Sequence, residues 1–156
     1  MRSETTDVVH AARALHAATE ALLDAVASRY GVNRNDLRCL EILEREGPMT
    51  AGGLAAASHL SPAAITKVVD RLDRAGYVTR HPDAEDRRAH IVGTSDGHAD
   101  LRTAIWQPVL ADAEAAFGAR PAAELCGLAE DLRRLGELNR THARRLSEGR
   151  TDPSDQ

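Results

Sequence analysis

The sequence predicts a mainly α fold with one small β-hairpin, and three observations carry that expectation. Apolar residues recur at alternating steps of three and four over long stretches, the period of helices with one buried face. Gly31, Gly47-Pro48, Gly76 and Gly118 interrupt those stretches where helices are expected to end. The helical pattern gives way to β-branched chemistry at Tyr77–His81 and Ala89–Val92, on either side of the polar loop 82–88, PDAEDRR. At 156 residues the chain has the length of a single domain, 1–156.

The first helix is expected over residues 5–30. Val8, Ala12, Leu15, Thr19, Leu22, Val26 and Tyr30 form a narrow seam that packs either on its own core or on a partner chain. A second helix runs from about Asn35, a good N-cap, to Glu46; it buries Leu37, Leu40 and Leu43, with Cys39 as a small core residue. Thr50 can cap a short third helix, 51–58. Ser61-Pro62 then opens a fourth with a hydroxyl N-cap and a proline at the first helical position, and Gly76 ends it. After the hairpin, Ser95-Asp96 caps a fifth helix reaching Phe117. A sixth follows Pro121, where Leu125, Leu128, Leu132, Leu135, Asn139, His142 and Leu146 keep the spacing of the first. Residues 148–156 read as a polar tail.

Composition removes several function classes. With 42% hydrophobic residues and a net charge of −4, the chain is not of the disordered type. Two cysteines, Cys39 and Cys126, are too few for a disulfide scaffold and suit a reducing cytoplasm. The opening MRSETTDVV lacks a basic start followed by an apolar stretch, and no run approaches the length of a membrane span, so a cytoplasmic protein is expected. Four aromatics cannot build the stacking platforms of single-strand binders, and no GxxxxGK[ST] or GxGxxG loop is present. Residues 1–60 carry net −2, residues 61–90 net +1 and residues 91–156 net −3. That balance excludes a broad basic face, not a few placed cations.

Three short helices followed by a hairpin is the order of a winged helix-turn-helix, in which one helix enters the major groove and the hairpin reaches the neighbouring minor groove. The fourth helix has the two faces this use requires. Ile65, Val68, Val69 and Leu72 point inward; Ala63, Lys67, Asp70 and Arg74 point away, with Thr66 at the edge. Small residues at its start (Ser61, Ala63, Ala64) let the backbone approach DNA, so that Thr66 and Lys67 reach base edges or phosphates. Asp70, which phosphates would repel, is expected to pair with Lys67 or Arg74 along the helix. Arg87 and Arg88 lie at the tip of the hairpin, where a guanidinium suits a narrow minor groove, and Asp86 can orient Arg88.

From Leu37 to Val92 the chain resembles the multiple-antibiotic-resistance-regulator (MarR) family of bacterial transcription factors. The matching stretches are Met49–Ala56, Leu60–Leu72, Gly76-Tyr-Val78 and Asp83–Val92, the last carrying the family's wing pattern on Asp86 and Arg88. The resemblance implies a homodimer in which residues 5–30 and 95–147 (helices at 95–117 and 121–147) form the helical dimerisation region, around a winged helix-turn-helix at 34–92. It implies a minor-groove contact from Arg88 oriented by Asp86, and recognition-helix contacts from Ser61, Ala63, Thr66 and Lys67. Phosphate contacts would fall to Thr50, Arg80 and Arg87. It also implies repression of a pseudo-palindromic operator, relieved when a small aromatic or phenolic effector binds between the two regions. His16, Tyr30, Arg38 and Trp106 are the candidate effector contacts, since they bring aromatic or cationic groups near that junction. Two departures stand out: Thr94-Ser95-Asp96-Gly97-His98 replaces the family's usual entry to the fifth helix, and the first helix has no cysteine for thiol sensing.

Other readings compete. His81-Pro-Asp83 and His98-Ala-Asp100 are the pairs a catalytic reading would use, but neither has a metal or nucleophile spacing, so no catalytic residue, metal or cofactor is assigned. A metal-responsive regulator would draw on His81, His90 or His98. A winged helix turned protein-interaction module would not need Arg88. The expectation is a DNA-binding regulator rather than an enzyme.

Overall fold

The computed structural model describes residues 3–83 and 90–148; Ala84–Ala89, and with them Asp86, Arg87 and Arg88, lie outside the described residues. Its helices are α1 (Glu4–Tyr30), α2 (Arg34–Glu46), α3 (Ala51–Ser58), α4 (Pro62–Arg74), α5 (Ala99–Phe117) and α6 (Ala122–Glu148). Its strands are β1 (Met49–Thr50), β2 (Val78–Pro82) and β3 (His90–Thr94), and a 3₁₀ turn at Asp96–His98 precedes α5. The chain forms two compact units, one ending at Trp106 and one beginning at Gln107.

In the first unit α2, α3 and α4 bury their apolar faces against one another. Leu40, Leu43, Leu54, Ile65 and Leu72 are closed to solvent, and Val78 and Val92 complete the core from the sheet. Each such side chain contributes roughly 1.5–3 kcal/mol of burial. The expected N-cap of α2 is corrected: Asn33, with extended backbone, accepts from the Asp36 N–H at 3.0 Å, and Asn35 lies inside the first turn. Thr50 and Ser61 cap α3 and α4 as expected, accepting from the N–H groups of Gly53 (3.1 Å) and Ala64 (3.2 Å). Gly31 ends α1 at φ 67°, where a side chain would strain the backbone, and its N–H returns to Ser28.

The hairpin is part of a three-stranded antiparallel sheet in the order β1-β3-β2. Met49 and Thr50 add the third strand, opposite Val92 and Ile91, and the hairpin strands run one to two residues further than expected. Two residues are too short to show an alternating pattern, so β1 left no periodic mark in the sequence. The entry to α5 also differs from a simple cap. Ser95 accepts from the Gly97 N–H at 3.3 Å and donates to the Gly76 carbonyl, so a 3₁₀ turn intervenes before Ala99.

Side chains tie these elements together. Arg71 of α4 donates twice to the buried Asp36 of α2, at 2.9 and 2.6 Å. Arg34 joins α2 to α1 through Glu20 (2.9 Å) and Asp24 (3.1 Å). The Tyr77 hydroxyl donates to the Tyr30 carbonyl at 2.7 Å. Of the seam of the first helix, Val26 and Tyr30 are buried within this chain, with Ala27 beside them, whereas Val8 and Leu15 are 53% exposed.

In the second unit, the Gly118 N–H donates to the Glu114 carbonyl at 2.7 Å, and a Cβ at Gly118 would lie 2.6 Å from that oxygen. A glycine is therefore required where α5 stops. Pro121 offers its carbonyl to the N–H groups of Glu124 and Leu125 and so starts α6. No described residue of α5 or α6 is buried.

Candidate nucleic-acid interface

The two faces of α4 set up the site. Ile65, Val68, Val69 and Leu72 fill the core, which leaves Ser61, Ala63, Thr66 and Lys67 exposed on the opposite side. The turn before it is tight: His59, at φ 56°, adopts the left-handed conformation and closes α3 two residues before the Ser61 cap. That turn fixes the start of α4 against α3, as a helix-turn-helix needs.

Hydrogen bonding decides what each hydroxyl has left to offer. Thr66 donates its proton to the Pro62 carbonyl at 3.1 Å, so it presents acceptor lone pairs and a methyl group. Such a group suits a base amino group or a thymine methyl. Ser61 and Thr50 use their oxygens as acceptors for the caps, so each keeps an O–H free to donate to a phosphate. Lys67 is exposed and carries no ion pair among the described residues.

Arg80, the phosphate contact implied by the resemblance, already faces two carboxylates. It projects from β2 onto α4, where its Nη2 bonds the Asp70 carboxylate and its Nε lies 3.4 Å from Asp73. The expected pairing of Asp70 with Lys67 or Arg74 is thereby corrected. A partner from the crossing strand replaces the along-helix partners, because β2 returns directly over the carboxylate. Sequence reasoning missed Asp73 in this cluster; its position three residues after Asp70, on the same face, was the available signal. A cleft of about 380 Å3 between α3, α4 and the sheet carries Thr50, Thr66 and Arg80 on its walls, so three of the expected DNA contacts share one surface.

Of the four candidate effector contacts, Arg38 and Trp106 line adjoining clefts, and His16 and Tyr30 line neither. His16 is exposed on α1. Tyr30 is buried, edge-on to Tyr77 with ring centroids 5.5 Å apart. Its phenol is pushed up to about 12 by burial and by the nearby Glu44 carboxylate. Arg38 lies on a cleft of about 580 Å3 with Arg34, Arg45 and Glu41, whose carboxyl is raised by burial. Trp106 borders an adjoining cleft, of about 540 Å3, which shares Leu23, Glu41 and Arg45 with the first.

The remaining candidates find structural surroundings. Cys39 is fully buried and its thiol is pushed up by that burial. His98 packs edge-on to both Tyr30 and Tyr77, and its Nε2 lies 3.2 Å from Glu44. His81 meets the Thr79 hydroxyl at 3.1 Å. Among the described residues no three His, Cys, Asp or Glu side chains gather as a metal would require. No described helix is long and apolar enough to cross a membrane.

Comparison with known proteins places this geometry. Residues 32–90 match the family model described as the MarR family. The chain is 44% identical over 68 residues to the uncharacterized HTH-type transcriptional regulator YcgE of Bacillus subtilis, a stretch covering 44% of each chain. It is 36% identical over 70 residues to the uncharacterized HTH-type transcriptional regulator ML2140 of Mycobacterium leprae, covering 45% of this chain and 49% of that one. The matched stretch thus spans less than half the length of these curated relatives. Among solved structures, a MarR family protein from Bacillus stearothermophilus superposes with a TM-score of 0.67 at 19% identity, over 88% of this chain and 97% of that one. At that identity the likeness is one of fold.

Proposed function

We propose, from the match of residues 32–90 to the MarR family model, that the chain is a homodimeric transcriptional regulator of that kind, binding double-stranded DNA in the cytoplasm. The observation that carries the reading is the exposed face of α4. Small residues and hydroxyls at its capped N-terminus, followed by Thr66 and by Lys67, which has no ion pair among the described residues, form a surface a major groove accepts. In a two-fold dimer, two such helices about 34–36 Å apart read a pseudo-palindrome. Ser61, Ala63, Thr66 and Lys67 face bases and nearby phosphates, with Thr50 on the backbone. Arg88, oriented by Asp86, enters the minor groove, and Arg87 neutralises a phosphate.

A second copy is the partner that the long helices favour. Leu128, Leu132 and Leu146 of α6 are 38%, 45% and 76% exposed at helical spacing, and Val8 and Leu15 of α1 are equally open. Monomeric proteins keep such stripes small. Repression relieved by a small molecule is the finer reading. The clefts bearing Arg38 and Trp106 have the volume of small-molecule sites, and an effector acts by binding better to a dimer whose helix spacing no longer fits the operator.

Selecting bound sequences from a genomic DNA pool identifies the operator, and titrating variants on it tests the contacts. Arg88→Ala and Lys67→Ala should each weaken binding by roughly 5- to 150-fold, the worth of a good base contact. Wild-type affinity in both variants overturns the contact assignment, and failure to select any sequence overturns DNA recognition.

A further inference from the structure

Arg80 stands in the family position of a phosphate contact, yet its guanidinium is already engaged. Nη2 is taken by Asp70 and Nε faces Asp73 at 3.4 Å, both on α4, while Arg80 itself comes from β2. We propose that Arg80 is a positioning residue which ties the wing to the recognition helix, and that Asp70 and Asp73 withhold its charge from phosphates and so restrain binding to non-cognate DNA.

The argument is one of charge and geometry. Two carboxylates around one guanidinium leave a net negative cluster at the edge of a surface that Lys67 and the cap hydroxyls make attractive to DNA. A phosphate reaching for Arg80 must displace two carboxylates and approach both. Non-specific binding is almost wholly electrostatic, whereas specific binding adds base contacts. The same repulsion therefore removes a larger share of non-specific affinity. The guanidinium fork donates to Asp70 while its Nε faces Asp73, in a way a lysine ammonium cannot fix directionally, so the clamp also sets where β2 lies over α4.

This inference rests on the DNA-binding reading, and its test separates the two. Binding of a random-sequence duplex is measured against salt for the wild type, for Asp70→Asn with Asp73→Asn, and for that pair combined with Arg80→Gln. The double variant should bind more tightly, with a log–log salt slope steeper by about 0.9 per protomer for the freed cation. Adding Arg80→Gln should return the slope to that of the wild type. An unchanged slope in the double variant, or a gain that survives Arg80→Gln, overturns the masking. If no variant binds any duplex at low salt, the DNA-binding reading falls and the masking with it. Amide hydrogen exchange on the DNA-free protein reads the positioning role by itself. Arg80→Gln should speed exchange in β2 and β3 and leave α2 unchanged; unaltered exchange in the sheet overturns the strut.

Discussion

The winged region and the long helices use the same kind of apolar residue to opposite ends. From Arg34 to Thr94, apolar side chains point into one core that closes over Leu40, Leu54 and Leu72. In α1 only Val26, Ala27 and Tyr30 are buried; α5 rests the partly buried Leu101, Ile105 and Trp106 on that core, and no described residue of α6 is buried. Helical periodicity therefore marks a face that must be covered without saying by what. In one region the covering surface lies within the chain; in the other, the proposed dimer would supply it from a second copy. On the proposed dimer, the core is closed at any concentration, while the long helices gain a partner only by association.

The largest expected effect breaks the association and spares the core. Leu128→Asp combined with Leu132→Asp places two carboxylates on the open face of α6. It should convert a dimer to a monomer across the concentration range where the wild type is dimeric, as read by sedimentation. Retention of the wild-type sedimentation coefficient would show that this face is not where the copies meet. The converse change is confined to the core. Leu54→Ala, at a position closed to solvent, should lower unfolding stability by about 2–5 kcal/mol in denaturant titrations. Because Leu54 lies in α3, that loss should be the same at high and low protein concentration; a loss that grows on dilution would mean the core and the interface are one structure.

The division between local and distant signals explains what could be read from the sequence. The caps on Thr50 and Ser61 and the stop at Gly31 are decided within three or four residues, and they were legible. Asn33 and Asn35 stand two apart with the same capping chemistry, and only the backbone conformation at Asn33 selects between them. The inward face of α4 followed from its period, but the partner of Asp70 is fixed by where β2 crosses. Tyr30, Arg38, Trp106 and His16 are grouped by chemistry, and no local signal could show that only Arg38 and Trp106 line adjoining clefts. The exposure of α1 was equally beyond reach, since a seam looks identical whether its partner is the same chain or another.

Tyr30 marks the point along α1 where the open part of the helix meets the closed core, and pH tests that boundary. Its phenol is pushed up to about 12, first by burial and then by Glu44, from an ordinary value of 10.0. The unfolded chain releases this proton first, so the contribution is whole below pH 10 and is lost as pH rises toward 12. Denaturant midpoints should fall more steeply over that window in the wild type than in Tyr30→Phe. Parallel curves would place the Tyr30 hydroxyl in solvent and move the boundary of the core toward Leu37.

The smallest effect asks whether a residue on the exposed face of α4 serves the fold, the DNA, or both. Ser61 accepts from the Ala64 N–H, so Ser61→Ala should cost about 1 kcal/mol of stability, and Ser61→Gly only a few tenths. Both variants lack the hydroxyl. If its free proton reaches a phosphate, both should lose operator affinity equally despite their unequal stability. Should affinity follow stability instead, with the glycine variant binding like the wild type, Ser61 acts only by fixing the first turn of α4. The residue would then belong to the closed core's side of the molecule, although it stands on the exposed face.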